Sequence, residues 1–206
     1  MKTSLIASAA LALLTSAAFA QTAAPAPAPT PAQATVQRDV NQQQRIEHGL
    51  QSGKITPREA GLLERDETRV DKLQARDMKD GKVTPAERRQ LRAAQNKASR
   101  DIRTAENNGV NASPLSASSQ RMQADVQRNV SQEKRIENGL QTGSLTPREA
   151  GRMERGQASV DHAEAHAAAD GHVGAAEQRR VQHAENRQSA RIHRAKTNAS
   201  TATTAG

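Results

Sequence analysis

Val36-Gln-Arg-Asp-Val-Asn-Gln-Gln-Gln-Arg-Ile-Glu-His-Gly-Leu-Gln-Ser-Gly53 returns as Val126-Gln-Arg-Asn-Val-Ser-Gln-Glu-Lys-Arg-Ile-Glu-Asn-Gly-Leu-Gln-Thr-Gly143, and Thr56-Pro-Arg-Glu-Ala-Gly61 returns as Thr146-Pro-Arg-Glu-Ala-Gly151. Residues 36–108 thus recur as 126–198 at a constant offset of 90, and the chain is a tandem duplication whose copies can be read against each other. Within the first copy, Val36, Val40, Ile46 and Leu50 lie near helical spacing. Leu63, Val70 and Leu73 mark a second helix after Thr56, and Leu91, Ala94, Ala98, Ile102 and Ala105 a third after Thr84. No stretch alternates with period two over the length of a strand. The predicted fold class is all-α, a tandem duplication of a three-helix helix-turn-helix unit whose longer helices run about 30 Å.

The internal comparison also predicts the core. Ile46, Leu50, Ile55, Leu63, Val70, Val83, Leu91 and Ile102 meet Ile136, Leu140, Leu145, Met153, Val160, Val173, Val181 and Ile192, each pair keeping a sizeable apolar side chain. Leu62 meets Arg152, so that position is expected to face solvent. A core this thin supplies only a few kcal/mol, so packing of the copies on each other, dimerisation or a bound partner is expected to complete it.

A finer repeat lies inside each copy. Gly53-Lys-Ile-Thr-Pro-Arg-Glu59, Gly81-Lys-Val-Thr-Pro-Ala-Glu87 and Gly143-Ser-Leu-Thr-Pro-Arg-Glu149 share one pattern, worn down in Gly171-His-Val-Gly-Ala-Ala-Glu177. In the first three, glycine (Gly53, Gly81, Gly143) stops one helix in a left-handed turn and an apolar side chain packs inward. Threonine (Thr56, Thr84, Thr146) caps the next helix, proline (Pro57, Pro85, Pro147) takes its first position, and glutamate (Glu59, Glu87, Glu149) closes a capping box.

The same pattern resembles the second half of an EF-hand loop, with Gly81, Val83, Thr84 and Glu87 at the sixth, eighth, ninth and twelfth places and Asp80 at the fifth. The first half departs: the leading ligand places fall on Arg76 and Met78, on His48 and Leu50, on Asn138 and Leu140, and on His166 and Ala168. The resemblance implies a helix-loop-helix geometry whose loops lack the leading acids that calcium needs. Leu145-Thr146-Pro147-Arg148-Glu149 and Val83-Thr84-Pro85-Ala86-Glu87 are also similar to the helix starts of the periplasmic LTxxQ proteins, the Spy and CpxP group of stress chaperones and inhibitors, with Glu where that family prefers Gln. In pattern the chain most resembles uncharacterised secreted proteobacterial proteins built from repeated GLxxGxLTxxE and DGxLTxxER units.

Composition sets the address. Lys2, the apolar run Leu5 to Leu14 and Ala18-Phe19-Ala20 read as a signal peptide over residues 1–20, cleaved near Ala20. This predicts a periplasmic or secreted protein without a membrane span. Residues 21–35 are a Pro/Ala-rich leader, 109–125 a linker between helical repeats 36–108 and 126–198, and 199–206 a disordered tail. The absence of cysteine excludes disulfides, thiol redox chemistry and thiolate metal sites. Loss of the signal peptide takes the formal charge from +8 to +7 and removes the only aromatic residue, Phe19. A basic balance favours acidic partners, whereas single-stranded nucleic acid normally requires aromatic stacking platforms, so nucleic acid is not expected.

Five of six histidines lie in the second copy, and Asp161-His162-Ala-Glu-Ala-His166 sets two imidazoles one helical turn apart. With Asp170 and His172 they form a candidate site for zinc, copper or nickel. Their counterparts Lys72, Arg76 and Lys82 make solvated cations the competing reading. No nucleophile elbow or phosphate loop is present, so no catalytic residues, cofactor or enzymatic activity are expected. The function predicted is an exported, non-catalytic helical binding or structural protein, contacting acidic envelope partners through Arg58, Arg65, Arg88, Arg89, Arg148, Arg155, Arg179 and Arg180. The alternatives are a Spy/CpxP-like chaperone and a periplasmic metal-binding protein using the EF-hand-like loops or the histidine cluster. The oligomeric state is left open.

Overall fold

The computed structural model describes residues 28–197; the predicted signal peptide, the first part of the leader and the tail lie outside them. The described chain is six helices: α1 (Pro31–Ser52), α2 (Pro57–Asp77), α3 (Pro85–Asn107), α4 (Ala117–Gln141), α5 (Pro147–Ala167) and α6 (Ala175–Thr197). The all-α class and the three-helix repeat are therefore as expected.

The repeated turn works as its chemistry dictates. Thr56, Thr84 and Thr146 cap α2, α3 and α5, each with a reciprocal bond from the glutamate three residues on and proline at the first position. Gly53, Gly81, Gly143 and Gly171 all take positive φ, between 71° and 88°. The worn fourth copy keeps half its box, as Gly174 N–H donates to Glu177 Oε2 at 2.6 Å.

Two boundaries differ from expectation. Thr30 caps α1 through a full capping box with Gln33, so the helix opens at Pro31 inside the predicted leader. Ser116 caps α4, and Ser118, Ser119, Met122 and Asp125 are already buried, so only the first part of the predicted 109–125 linker connects helices. In both places a local cap and burial against the other copy extend the helix beyond the duplicated segment.

The copies do not fold as separate bundles. α2 packs chiefly on α5 and α1 on α4. Gln33 Nε2 donates to the Leu140 carbonyl at 3.0 Å, and its counterpart Gln123 donates to the Leu50 carbonyl at 3.2 Å, so α1 and α4 run antiparallel about an approximate two-fold axis. α2 and α5 cross that axis equally closely. A Cβ on Gly61 would lie 2.9 Å from Ala168 Cβ, and one on its counterpart Gly151 2.8 Å from Met78 Cβ.

This exchange makes two apolar cores, one at each end. One joins Ile46, Leu50, Ile55, Leu63 and Ile102 of the first copy to Met122, Val126, Ala168, Val173 and Val181 of the second. The other joins Ile136, Leu140, Leu145, Met153 and Ile192 to Ala32, Val36 and Met78. Of the sixteen core residues predicted by pairing, all but half-buried Val83 are buried, and Leu62 is 51% exposed as expected. The thin core of one copy is thus completed by the other copy of the same chain.

Candidate functional site: a buried layer of carboxylates and carboxamides

Between the two apolar ends lies a polar layer. Twelve Asp and Glu side chains are buried among the described residues, whereas no Lys, Arg or His is. Eight of the twelve face the axis from α1, α2, α4 and α5: Asp39, Glu64, Glu67, Asp71, Glu133, Glu154, Asp161 and Glu164. Helical spacing explains their placement, since Glu64, Glu67, Asp71 and Gln74 fall on one face of α2, and Glu154, Gln157, Asp161 and Glu164 on the matching face of α5.

Two groups within the layer bring carboxylate oxygens within 4.8 Å of one another: Asp39, Asp71 and Glu154, and Glu64, Asp161 and Glu164. Carboxamides thread both. Gln74 Nε2 donates to Asp39 Oδ2, and Asn129 Nδ2 donates to Asp161 Oδ1 at 3.1 Å and to Glu164 Oε2 at 2.9 Å. Gln43 Nε2 donates to Glu64 Oε2 at 2.9 Å, and Gln157 Nε2 to Asn129 Oδ1 at 3.3 Å. The amide hydrogens are thereby spent on neighbours, while Gln43 Oε1, Gln74 Oε1 and Gln157 Oε1 have no partner among the described residues. Neither do both oxygens of Glu67 and Glu154, or one oxygen each of Glu64, Asp71, Glu133, Asp161 and Glu164.

Burial raises every acid in the layer, and repulsion between carboxylates adds to the rise at all of them but Asp39. Asp39 and Asp161 are pushed up to about 7, by burial foremost, with hydrogen bonds from Gln95 and Gln74 opposing the rise at Asp39. Burial pushes Glu64, Glu67, Asp71, Glu133, Glu154 and Glu164 well above the usual carboxylate range, and neighbouring carboxylates add to the rise in each case. At an effective dielectric of about 20, like charges 4.8 Å apart repel by about 3.5 kcal/mol. Three ionised carboxylates in one group would therefore cost roughly 10 kcal/mol, as much as the whole stability of an ordinary domain. Protons or a multivalent cation must offset that cost.

The surface over the layer is not symmetrical. A groove of about 580 Å³ between α4 and α6 is lined by Asp125 and Glu185 together with Arg128 and Arg135. Asp125 is pushed up to about 7 by burial and by Glu185. The related groove over the other half, about 260 Å³, is lined by Thr35, Arg38, Arg88, Arg92 and Gln95. One approach carries charges of both signs, with Arg128 paired to Glu185 at 2.7 Å, and the other is basic.

None of this layer was among the residues singled out in the sequence. His162 and His166 are exposed, their rings tilted by 56° with centroids 4.5 Å apart, while Asp170 Oδ1 accepts from the His172 backbone N–H at 2.8 Å. His172 Nδ1 lies 3.3 Å from Ser118 Oγ, facing α4 rather than the other two imidazoles. Neither carboxylate group includes a histidine. The glutamates of the EF-hand-like loops are committed to capping: Glu59, Glu87 and Glu149 each accept from the backbone N–H of their threonine at 2.7–2.9 Å.

Of the candidate arginines, Arg58, Arg65, Arg89, Arg148, Arg155, Arg179 and Arg180 are exposed and Arg88 is half-buried. Arg148 and Arg155 share a groove with Arg76, Lys79 and Arg152. No helix among the described residues is long and apolar enough to cross a membrane. No protein family, curated protein or solved structure matches the chain.

The signal that could have revealed the layer is present in the duplication. At six layer positions the copies pair Asp39 with Asn129, Gln43 with Glu133, Glu64 with Glu154, Glu67 with Gln157, Asp71 with Asp161 and Gln74 with Glu164. Every pair keeps side-chain length and a side-chain oxygen. A solvated helix face carries no such constraint.

Proposed function

We propose that the chain is an exported, non-catalytic protein that binds a hard multivalent cation, calcium being the representative case, inside its helical bundle. The observation that carries this reading is the pair of buried carboxylate groups whose oxygens, among the described residues, have neither a full set of partners nor a buried cationic side chain to neutralise them. Hard cations take six to eight oxygen ligands from carboxylates and amide carbonyls, the donor set this layer supplies, whereas zinc and copper favour the nitrogen and sulfur that it lacks. Binding neutralises the clustered charge, so it stabilises the folded bundle by linkage.

Thermal melting followed by circular dichroism, in chelator and then with calcium, magnesium or zinc, tests this. Calcium should raise the melting temperature well beyond zinc. Melting indifferent to calcium and magnesium alike would overturn the reading.

A second reading concerns the surface. The groove bearing Arg76, Lys79, Arg148, Arg152 and Arg155 supports contact with acidic envelope components, independent of the interior. Salt-sensitive retention on anionic vesicles is its expected signature, and retention that survives high salt would defeat it. The chaperone alternative has less support, because the large exposed apolar side chains among the described residues are Leu62, Val110 and Leu115.

A further inference from the structure

We infer that the bundle takes up two hard cations per chain, one in each half of its polar layer, and that the half containing Asp39 holds its ion more tightly. This rests on the cation-binding reading and adds number and order to it. The approximate two-fold axis maps Asp39, Asp71, Gln74 and Glu154 onto Asn129, Asp161, Glu164 and Glu64, so each carboxylate group has a carboxamide in the corresponding frame. Two further side chains complete each half. Gln43 bonds to Glu64 and Gln157 to Asn129, and the same axis sets Glu133 beside Glu154 and Glu67 beside Asp39, whose charges act on each other.

Each half then offers six oxygen-bearing side chains, the number a calcium-sized ion requires. Their charges differ. The Asp39 half has five carboxylates and one carboxamide, and the Asn129 half three of each. Within oxygen-donor sites, affinity rises with the count of charged ligands, which sets the order. The halves are also neighbours, since Asp71 of one and Asp161 of the other act on each other, so an ion in one half raises the electrostatic cost of an ion in the other. Two well-separated steps follow.

Equilibrium dialysis of the mature chain against calcium chloride, with bound metal counted, tests this. Two ions per chain are expected, in steps at least tenfold apart. Asp39→Asn with Glu67→Gln gives the first half the composition of the second and should weaken the tighter step toward the other while capacity stays at two. The chain already uses both exchanges at residues 129 and 157. The reverse variant, Asn129→Asp with Gln157→Glu, should strengthen the weaker step, and helicity of both variants is checked by circular dichroism. A single ion per chain, two equal steps, or steps unmoved by both variants would overturn the unequal pair while leaving cation binding standing. No calcium uptake at all would remove both.

Discussion

Asp39 and Asn129 occupy the same place in the two halves of the bundle, one a carboxylate bonded by Gln74 and Gln95, the other the carboxamide of the same shape bonded to Asp161 and Glu164. The chain has thus made an isosteric charge change in its own interior and kept the fold. Charge and shape are separable here, and several expectations use that.

Replacing Asp71 and Asp161 together by Asn removes the charge nearest the axis without changing volume. In chelator the double variant should melt at a higher temperature than the natural chain, because buried like charges oppose folding. Calcium should raise it by less than it raises the natural chain. A lower melting temperature in chelator would mean that these acids stabilise the metal-free fold.

The acids predict an inverted pH dependence. Asp39, Asp125 and Asp161 are raised from 3.8 to about 7, so the folded chain holds protons that the unfolded chain releases. Their contribution to stability is complete below pH of about 4 and is lost as pH rises through about 7. Melting in chelator should therefore weaken from pH 5 to pH 8, and calcium should reverse the trend by favouring the ionised form. Melting that strengthens over this range in chelator would contradict the raised pKa values.

Close approach of α2 and α5 depends on Gly61. With a Cβ already only 2.9 Å from Ala168 Cβ, Gly61→Val must push the helices apart, at an expected cost of about 1–3 kcal/mol in urea unfolding. The exposed neighbour Leu62→Ala should change stability by less than about 0.5 kcal/mol.

Thr84→Ala removes a side-chain cap and should cost about 1 kcal/mol. The related turn before α6 already has Gly174 in that place, so hydrogen exchange should be faster across residues 175–180 than across 85–90. Greater protection at the α6 start would show that packing, not capping, sets local stability there.

Glu185 lines the groove between α4 and α6, where it balances the charge of Arg128, and is matched by Gln95 in the other half. Glu185→Gln should slow calcium association severalfold in stopped-flow measurements at low salt and leave the count of bound ions unchanged. Unchanged association would place the approach elsewhere.

The helices could be read from the chain alone. The 90-residue offset, the spacing of Ile46, Leu50, Leu63 and Ile102, and the Thr-Pro-x-Glu boxes depend on neighbours along the chain, and each was legible there. The starts of α1 and α4 were less so, because Thr30 and Ser116 lie in segments whose composition reads as leader and linker.

The role of the polar faces emerges from packing between the copies. Read along one helix, Glu64, Glu67, Asp71 and Gln74 look like a solvated stripe, as do Glu154, Gln157, Asp161 and Glu164. They are buried because the second copy turns over and lays its matching stripe against the first, through crossings that Gly61 and Gly151 allow. Periodicity records that a face exists. Which face meets another is fixed by contacts about 90 residues apart, and those contacts turned two ordinary helix surfaces into one acidic interior.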